Sequence, residues 1–189
     1  ILDSSVTRPN ELDVAPDGRV FYIEREGAVK VWRPSTETTE MVGFIPVKAI
    51  HTSGLLGLAL DPQFKKNGWI YLYYAPRADD TRNLLVRYTV EENRLVPGSR
   101  ELILEVPFDR FVGCGAHSSG SLQFGPDGRL FLSVGDNTNP CDVQLSAPLD
   151  ERPDHEHWDA QRTSANTMDL RGKILRIAPG YGLDPEEAD

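Results

Sequence analysis

One short pattern occurs twice, 110 residues apart, and it restricts the fold more than anything else in the chain. Glu11-Leu12-Asp13-Val14-Ala15-Pro16-Asp17-Gly18-Arg19-Val20-Phe21-Tyr22-Ile23 matches Ser121 to Ser133 almost position for position. In both copies an alternating apolar segment runs into Pro-Asp-Gly-Arg, and a second alternating segment follows. A period of two marks a half-buried strand, and Pro, Asp and Gly each supply turn chemistry, so each copy predicts a β-hairpin. Gly57 to Tyr73 is a third version with a longer turn around Asp61-Pro62-Gln63-Phe64. Pro16, Pro62 and Pro126 are separated by 46 and 64 residues. Those intervals bracket the roughly 40 to 50 residues of one four-stranded propeller blade plus a loop insertion. Residues 28–32, 84–88 and 174–177 supply later strands, and helical periodicity of useful length is absent. The expectation is an all-β chain, a β-propeller with about three to four blades in residues 1–189 as one partial domain.

Such an arc would leave apolar faces and strand edges uncovered, because a propeller closes on itself to hide them. The chain starts at Ile1 and ends in the polar, turn-rich 179–185 segment followed by acids. It is therefore expected to be the N-terminal part of a longer parent, with assembly of several copies as the alternative. The 29 acidic and 20 basic residues give a net charge of −9, with the basic residues scattered. That pattern lacks the electrostatic footprint of a nucleic-acid binder. No apolar run approaches the ~18 residues of a membrane span.

The second copy of the hairpin carries the chemistry. His117 lies before its first strand and Asp136 after its second, at similar distances from the Pro126-Asp127-Gly128 turn, so antiparallel pairing brings them to one rim. A neutral imidazole whose second nitrogen is fixed by a carboxylate suits the acceptance of a substrate hydroxyl proton. The alternative is a histidine satisfying turn carbonyls beside an Asp that caps the 135–139 loop. Cys114 and Cys141 are equidistant from the same turn. A disulfide there would close a loop of about 28 residues, contribute on the order of 3 kcal/mol and point to an oxidising compartment, periplasmic or extracellular. Two separate buried thiols are the other possibility.

Weaker candidates surround these. His155 and His157 could hold a metal, though a solvated polar loop is the simpler account. Asp136, Asn137, Asn139, Asp142 and Asp150 concentrate oxygen ligands suited to calcium without matching a calcium-loop spacing, so no metal ligand is assigned. Trp69, Tyr71 and Tyr73 read as propeller core rather than a stacking platform. The 141–167 insertion is a long loop of the kind that lines sites, and Asp159, Gln161, Arg162 and Asn166 are its candidate substrate or cofactor contacts. No Gly-rich dinucleotide fingerprint opens a helix.

Three motifs occur in order: Gly54-Leu55-Leu56-Gly57-Leu58-Ala59-Leu60-Asp61-Pro62-Gln63-Phe64; His117-Ser118-Ser119-Gly120 with Phe124-Gly125-Pro126-Asp127-Gly128 and Gly135-Asp136; and Leu170-Arg171-Gly172-Lys173-Ile174-Leu175-Arg176-Ile177. From about Glu11 to Pro179 the chain resembles the glucose/sorbosone dehydrogenase family of soluble quinoproteins. The resemblance implies a six-bladed propeller that binds pyrroloquinoline quinone (PQQ) with calcium and oxidises the C1 hydroxyl of an aldose. It also implies an external electron acceptor. His117 then matches the general base and Asp136 the carboxylate that orients it. Thr52 falls where many members place Gln or Glu near the cofactor, and Ala116 where some place Asp. Arg162 and Asn166 join Thr52 as cofactor-binding candidates. Calcium ligands and the basic residues gripping the quinone are implied to come from later blades, so these residues alone should be inactive. A non-enzymatic propeller that binds carbohydrate or protein at the same rim is the alternative function.

Overall fold

The computed structural model describes residues 2–110, 114–141 and 148–180. Among the described residues, twelve strands form three antiparallel sheets that follow one another along the chain. The first is β1 (Pro9–Val14), β2 (Val20–Glu24), β3 (Ala28–Arg33) and β4 (Thr38–Phe44), in spatial order β1-β2-β3-β4. The second starts with β5 (Leu55–Leu60), passes the single helical turn α1 (Phe64–Asn67), and continues with β6 (Trp69–Tyr74) and β7 (Arg82–Glu91). Short β8 (Arg94–Leu95) folds back on the end of β7, and β9 (Glu101–Pro107) pairs along the rest of it. The third sheet is β10 (Leu122–Phe124), β11 (Leu130–Val134) and β12 (Lys173–Ile177).

All three predicted hairpins are present, and the two Pro-Asp-Gly-Arg turns are built alike. Asp17 Oδ1 accepts from the Arg19 amide at 3.2 Å, and Asp127 Oδ1 from the Arg129 amide at 3.1 Å. Gly18 and Gly128 take φ of 85° and 73°, a region in which a side chain is strained. The α1 turn is the main departure from the expected absence of helix. It fills the longer third turn, buries Phe64 against Phe21, and ends at Gly68 in the left-handed conformation.

The sheets stack side by side. One core lies between the first and second and includes Phe21, Ile23, Val31, Leu58, Leu72 and Val86. The other lies between the second and third and includes Tyr73, Leu85, Val106, Leu122, Leu130 and Leu132. Strand β6 is buried on both faces, with Ile70, Leu72 and Tyr74 in one core and Tyr71 and Tyr73 in the other. That explains its unbroken apolar sequence and places Tyr71 and Tyr73 in the core, as expected. Each fully buried side chain of this size contributes roughly 1.5–3 kcal/mol.

The first strands of the sheets, β1, β5 and β10, come together. This is the arrangement of inner strands in a β-propeller, and the three sheets are its blades. Because β1 and β5 belong to different blades, their facing backbone groups need other partners. Carboxylates from β1 supply them. Asp13 Oδ2 accepts from the Leu60 amide at 2.9 Å, and Glu11 Oε2 accepts from the amides of Leu58 and Leu122, both at 3.2 Å. The polar face of β1 therefore meets the neighbouring blades, while Leu12 and Val14 are exposed. No helix among the described residues is long and apolar enough to cross a membrane.

Candidate active site

The β10–β11 hairpin keeps its pairing beyond the strand ends. Leu122 faces Leu132 in the ladder, and the Ser133 amide donates to Ser121 O at 3.0 Å. Further on, the Gly135 amide donates to Ser118 O at 3.0 Å and the Asn137 amide to His117 O at 3.2 Å. This continued ladder fixes His117 opposite Asp136. It needs glycine at 135, because a Cβ there would lie 2.5 Å from the His117 carbonyl carbon. At the open end, Cys114 and Cys141 form a disulfide with Cα atoms 6.1 Å apart, so the paired arrangement holds rather than two separate thiols.

His117 Nδ1 lies 2.9 Å from Asp136 Oδ1. The imidazole is half exposed, at 53%, whereas Asp136 is 23% exposed. Thr138, which is 3% exposed, completes the group. Its amide and its hydroxyl donate to Asp136 Oδ1 at 3.0 and 2.9 Å, and its Oγ1 is 3.0 Å from His117 Nδ1. Burial pushes the Asp136 carboxyl up, but the Thr138 donors and His117 outweigh it and hold the group below the ordinary carboxylate value.

A second layer supports this loop from behind. Buried Asn137, at φ 59°, accepts from the Asp109 amide at 2.7 Å and from Arg171 Nη1 at 3.0 Å, and it donates to Asp109 O at 2.9 Å. Arg171 also reaches Asp109 Oδ2 at 3.1 Å and pairs with Asp169 at 2.7 Å. The Gly172 amide donates to Gly135 O at 2.8 Å, and Thr163 Oγ1 donates to Asp136 O at 2.7 Å. The Arg171-Gly172-Lys173 stretch therefore works as a backstop to the Asp136 loop. That stretch belongs to the third sequence motif, which by itself signals no such role. Sequence reasoning missed Asp109, Thr138 and Thr163, for which no local pattern signals a function.

The other candidates divide. The Thr52 hydroxyl donates to Ala116 O and lies 3.3 Å from Ser118 Oγ, one residue on either side of His117. Thr52 also borders a cavity of about 300 Å³ with Asn10, Glu11, Leu56 and Ser119 to Ser121. A larger cavity of about 600 Å³ lies elsewhere, against β1 and β2, and none of the dyad residues lines it. Arg162 Nη1 is 3.4 Å from Asp109 Oδ2, while its Nε and Nη2 are buried without a partner among the described residues. Asn166 is exposed; its Oδ1 accepts from the Met168 amide, and its own backbone amide donates to the carbonyl of Thr163, the residue whose hydroxyl meets Asp136 O. Asp159 caps a short 3₁₀ turn by accepting from the Gln161 amide, and Gln161 donates to Glu151 at 3.1 Å. His155 pairs with Asp150 at 3.0 Å; the Arg152 guanidinium beside Asp150 holds that carboxyl down to about 2. Asp142 lies outside the described residues. Among the described residues no three His, Cys, Asp or Glu side chains converge as a metal would require. The described ones among the oxygen ligands singled out for calcium, Asp136, Asn137, Asn139 and Asp150, are engaged with His117, Arg171, Arg152 and backbone amides.

Comparison with known proteins adds an independent line. Residues 6–182 match the family model described as Glucose / Sorbosone dehydrogenase. The chain is 26% identical over 191 residues to quinoprotein glucose dehydrogenase B of Acinetobacter calcoaceticus, covering 94% of this chain and 38% of that protein. It is 32% identical over 174 residues to human Hedgehog-interacting protein, covering 84% of this chain and 22% of that one. Among solved structures, a candidate oxidoreductase (glucose dehydrogenase) of Thermus thermophilus aligns with a TM-score of 0.73 at 27% identity, over 94% of this chain and 46% of that one. The chain thus spans less than half the length of each of these relatives. The PQQ-bound aldose sugar dehydrogenase of Streptomyces coelicolor aligns with a TM-score of 0.72 at 23% identity, over 94% of this chain and 46% of that one, and shares the fold.

Proposed function

The chain belongs to the glucose/sorbosone dehydrogenase family, and from that premise we propose that it carries the base-bearing blades of a quinone-dependent aldose dehydrogenase. The observation that carries the reading is the half-exposed His117 with Nδ1 fixed on Asp136 at 2.9 Å. With Nδ1 engaged, Nε2 is the nitrogen offered to a substrate. It takes the proton of the sugar C1 hydroxyl as the C1–H bond gives up a hydride, and Asp136 stabilises the imidazolium that results. When bound, PQQ supplies the two-electron acceptor that side chains lack.

The residues present suit such a group on one side. The cavity beside Thr52 lies next to the His117 loop, and, separately from it, Arg162 Nε and Nη2 are buried donors without a partner among the described residues. Thr52, Arg162 and Asn166 are the residues of this chain proposed to meet the cofactor. Calcium does not fit the described residues, and no ligand is assigned to it. A periplasmic or secreted location is proposed on the disulfide, which persists in oxidising compartments. Residues 1–189 are proposed to form part of a larger propeller that passes electrons to an external acceptor.

A second reading, a propeller that binds carbohydrate or protein without turnover, is favoured by one observation: the Thr52 hydroxyl is committed to Ala116 O. Dye-linked aldose oxidation by the full-length protein, reconstituted with PQQ and calcium and compared with its apo form, separates the two. Quinone-dependent turnover that falls by about 100- to 10,000-fold in His117→Ala supports the dehydrogenase. Turnover unchanged in that variant refutes the base assignment, and absence of both turnover and quinone binding leaves the binding propeller.

A further inference from the structure

We infer that Thr138 is a positioning residue that locks His117 in the tautomer carrying its proton on Nδ1, making the base a His117–Asp136–Thr138 triad. The inference rests on the proposed role of His117 and extends it to a residue whose effect on the imidazole can be read without catalysis.

Hydrogen accounting carries it. Asp136 Oδ1 receives the Thr138 amide at 3.0 Å, a group that can only donate. The Thr138 hydroxyl is 2.9 Å from the same oxygen and 3.0 Å from His117 Nδ1. When its single hydrogen lies on Asp136, the lone pairs of Oγ1 are left for the imidazole. Nδ1 then faces two acceptors, Asp136 Oδ1 at 2.9 Å and Thr138 Oγ1 at 3.0 Å, and both require a proton on Nδ1. Nε2 is left with its lone pair outward, the form that accepts a hydroxyl proton.

The alternative arrangement turns the Thr138 hydrogen toward Nδ1. It leaves that nitrogen unprotonated against a carboxylate, two electron-rich atoms at 2.9 Å, which is unfavourable while Asp136 is ionised. Asp136 stays ionised because the same two Thr138 donors favour its charge. A third partner is needed on physical grounds. His117 is half exposed, and a single solvent-screened contact holds an exposed ring weakly. Thr138 is almost fully buried and is flanked by Asn137, which Asp109 and Arg171 clamp, so its hydroxyl is a fixed reference where the imidazole is not.

The test is imidazole nitrogen NMR on the full-length protein, with the wild type, Thr138→Val, which keeps the shape and removes the hydroxyl, and Thr138→Ser, which restores it. In the wild type the His117 signals are expected to report protonated Nδ1 and bare Nε2. Thr138→Val should give a tautomer mixture, raise the Asp136 carboxyl titration toward the ordinary value and lower turnover about tenfold, the worth of one hydrogen bond to a charged group. Thr138→Ser should recover all three. A wild type with the proton on Nε2 overturns the inference whether or not any variant folds. So does a folded Thr138→Val protein with unchanged tautomer and unchanged Asp136 titration. Failure of the dehydrogenase reading appears separately, as a wild type without quinone-dependent turnover and with an intact Nδ1–H signal.

Discussion

Gly135→Ala is the sharpest perturbation of the backbone pairing that presents the dyad. The added Cβ would lie 2.5 Å from the His117 carbonyl carbon and 3.0 Å from the Ser118 carbonyl carbon. Carbon atoms in contact are ordinarily about 3.5–4.0 Å apart, so the two segments must separate by roughly 1 Å. That movement stretches Gly135 N to Ser118 O, now 3.0 Å, and Asn137 N to His117 O, now 3.2 Å, beyond hydrogen-bonding range. Two backbone bonds at a half-exposed rim correspond to about 1–3 kcal/mol. The functional effect is larger than that loss implies, because a shift of about 1 Å in a catalytic group lowers turnover roughly 100-fold. Gly128→Ala in the turn of the same hairpin is the control. It has nothing within 4 Å of the new Cβ, but its φ of 73° imposes about 1–2 kcal/mol of strain. Urea denaturation and quinone-dependent turnover should show two variants of similar stability, of which Gly135→Ala alone loses turnover. Wild-type turnover in Gly135→Ala would refute the claim that this backbone contact positions His117.

Further outcomes follow from the disulfide and the carboxylates. Cys141→Ser opens a loop whose ends are 27 residues apart, which on the chain-entropy account lowers stability by about 3.5 kcal/mol and the melting temperature by roughly 7–14 °C; a fall of under about 2 °C would show that the link constrains little. Asp169 is held below the ordinary carboxyl value by the Arg171 guanidinium. It therefore adds stability that is full above its unfolded value of about 3.9 and is lost as pH falls through the lower folded value. Asp169→Asn should lose less of its urea midpoint between about pH 5 and pH 2 than the wild type does, and an equal loss would refute the assignment.

The parts of the molecule that were legible are those where local chemistry and tertiary demand agree. The repeated hairpins, the blade organisation, the meeting of His117 with Asp136 and the pairing of Cys114 with Cys141 all follow from one turn and a period of two. Strands β4 and β9 are not signalled in the same way. Thr38–Phe44 carries polar residues along a half-exposed blade edge, and Glu101–Pro107 interleaves Ile103 among Leu102, Leu104 and Val106 so that neither face is cleanly apolar. In β1 the alternation is real, yet the apolar side is the exposed one, because Glu11 and Asp13 are needed to meet backbone amides of the neighbouring blades. Alternation fixes which residues share a face and leaves open which face turns inward. Asn166 was equally illegible: its side-chain oxygen accepts from the Met168 amide two residues on, a local turn contact that any Asn in a loop can make.

Thr138, Asn137 and Arg171 bear on the choice between catalysis and binding. Thr52 and Ala116 depart from the residues that the family resemblance places there, and they meet each other through the Thr52 hydroxyl and the Ala116 carbonyl. That contact involves neither the imidazole of His117 nor the carboxylate of Asp136. The dyad is instead fixed by backbone pairs across the hairpin, by Thr138, and by the Asn137–Asp109–Arg171 cluster behind it. Positions 52 and 116 therefore meet the backbone beside the proposed base rather than its imidazole or carboxylate. A surface that only binds has no physical need to hold one exposed imidazole against a carboxylate oxygen that already accepts two Thr138 donors, with a buried arginine behind the loop. Proton transfer does need it, because orientation and protonation state are what a general base must have fixed before the substrate arrives.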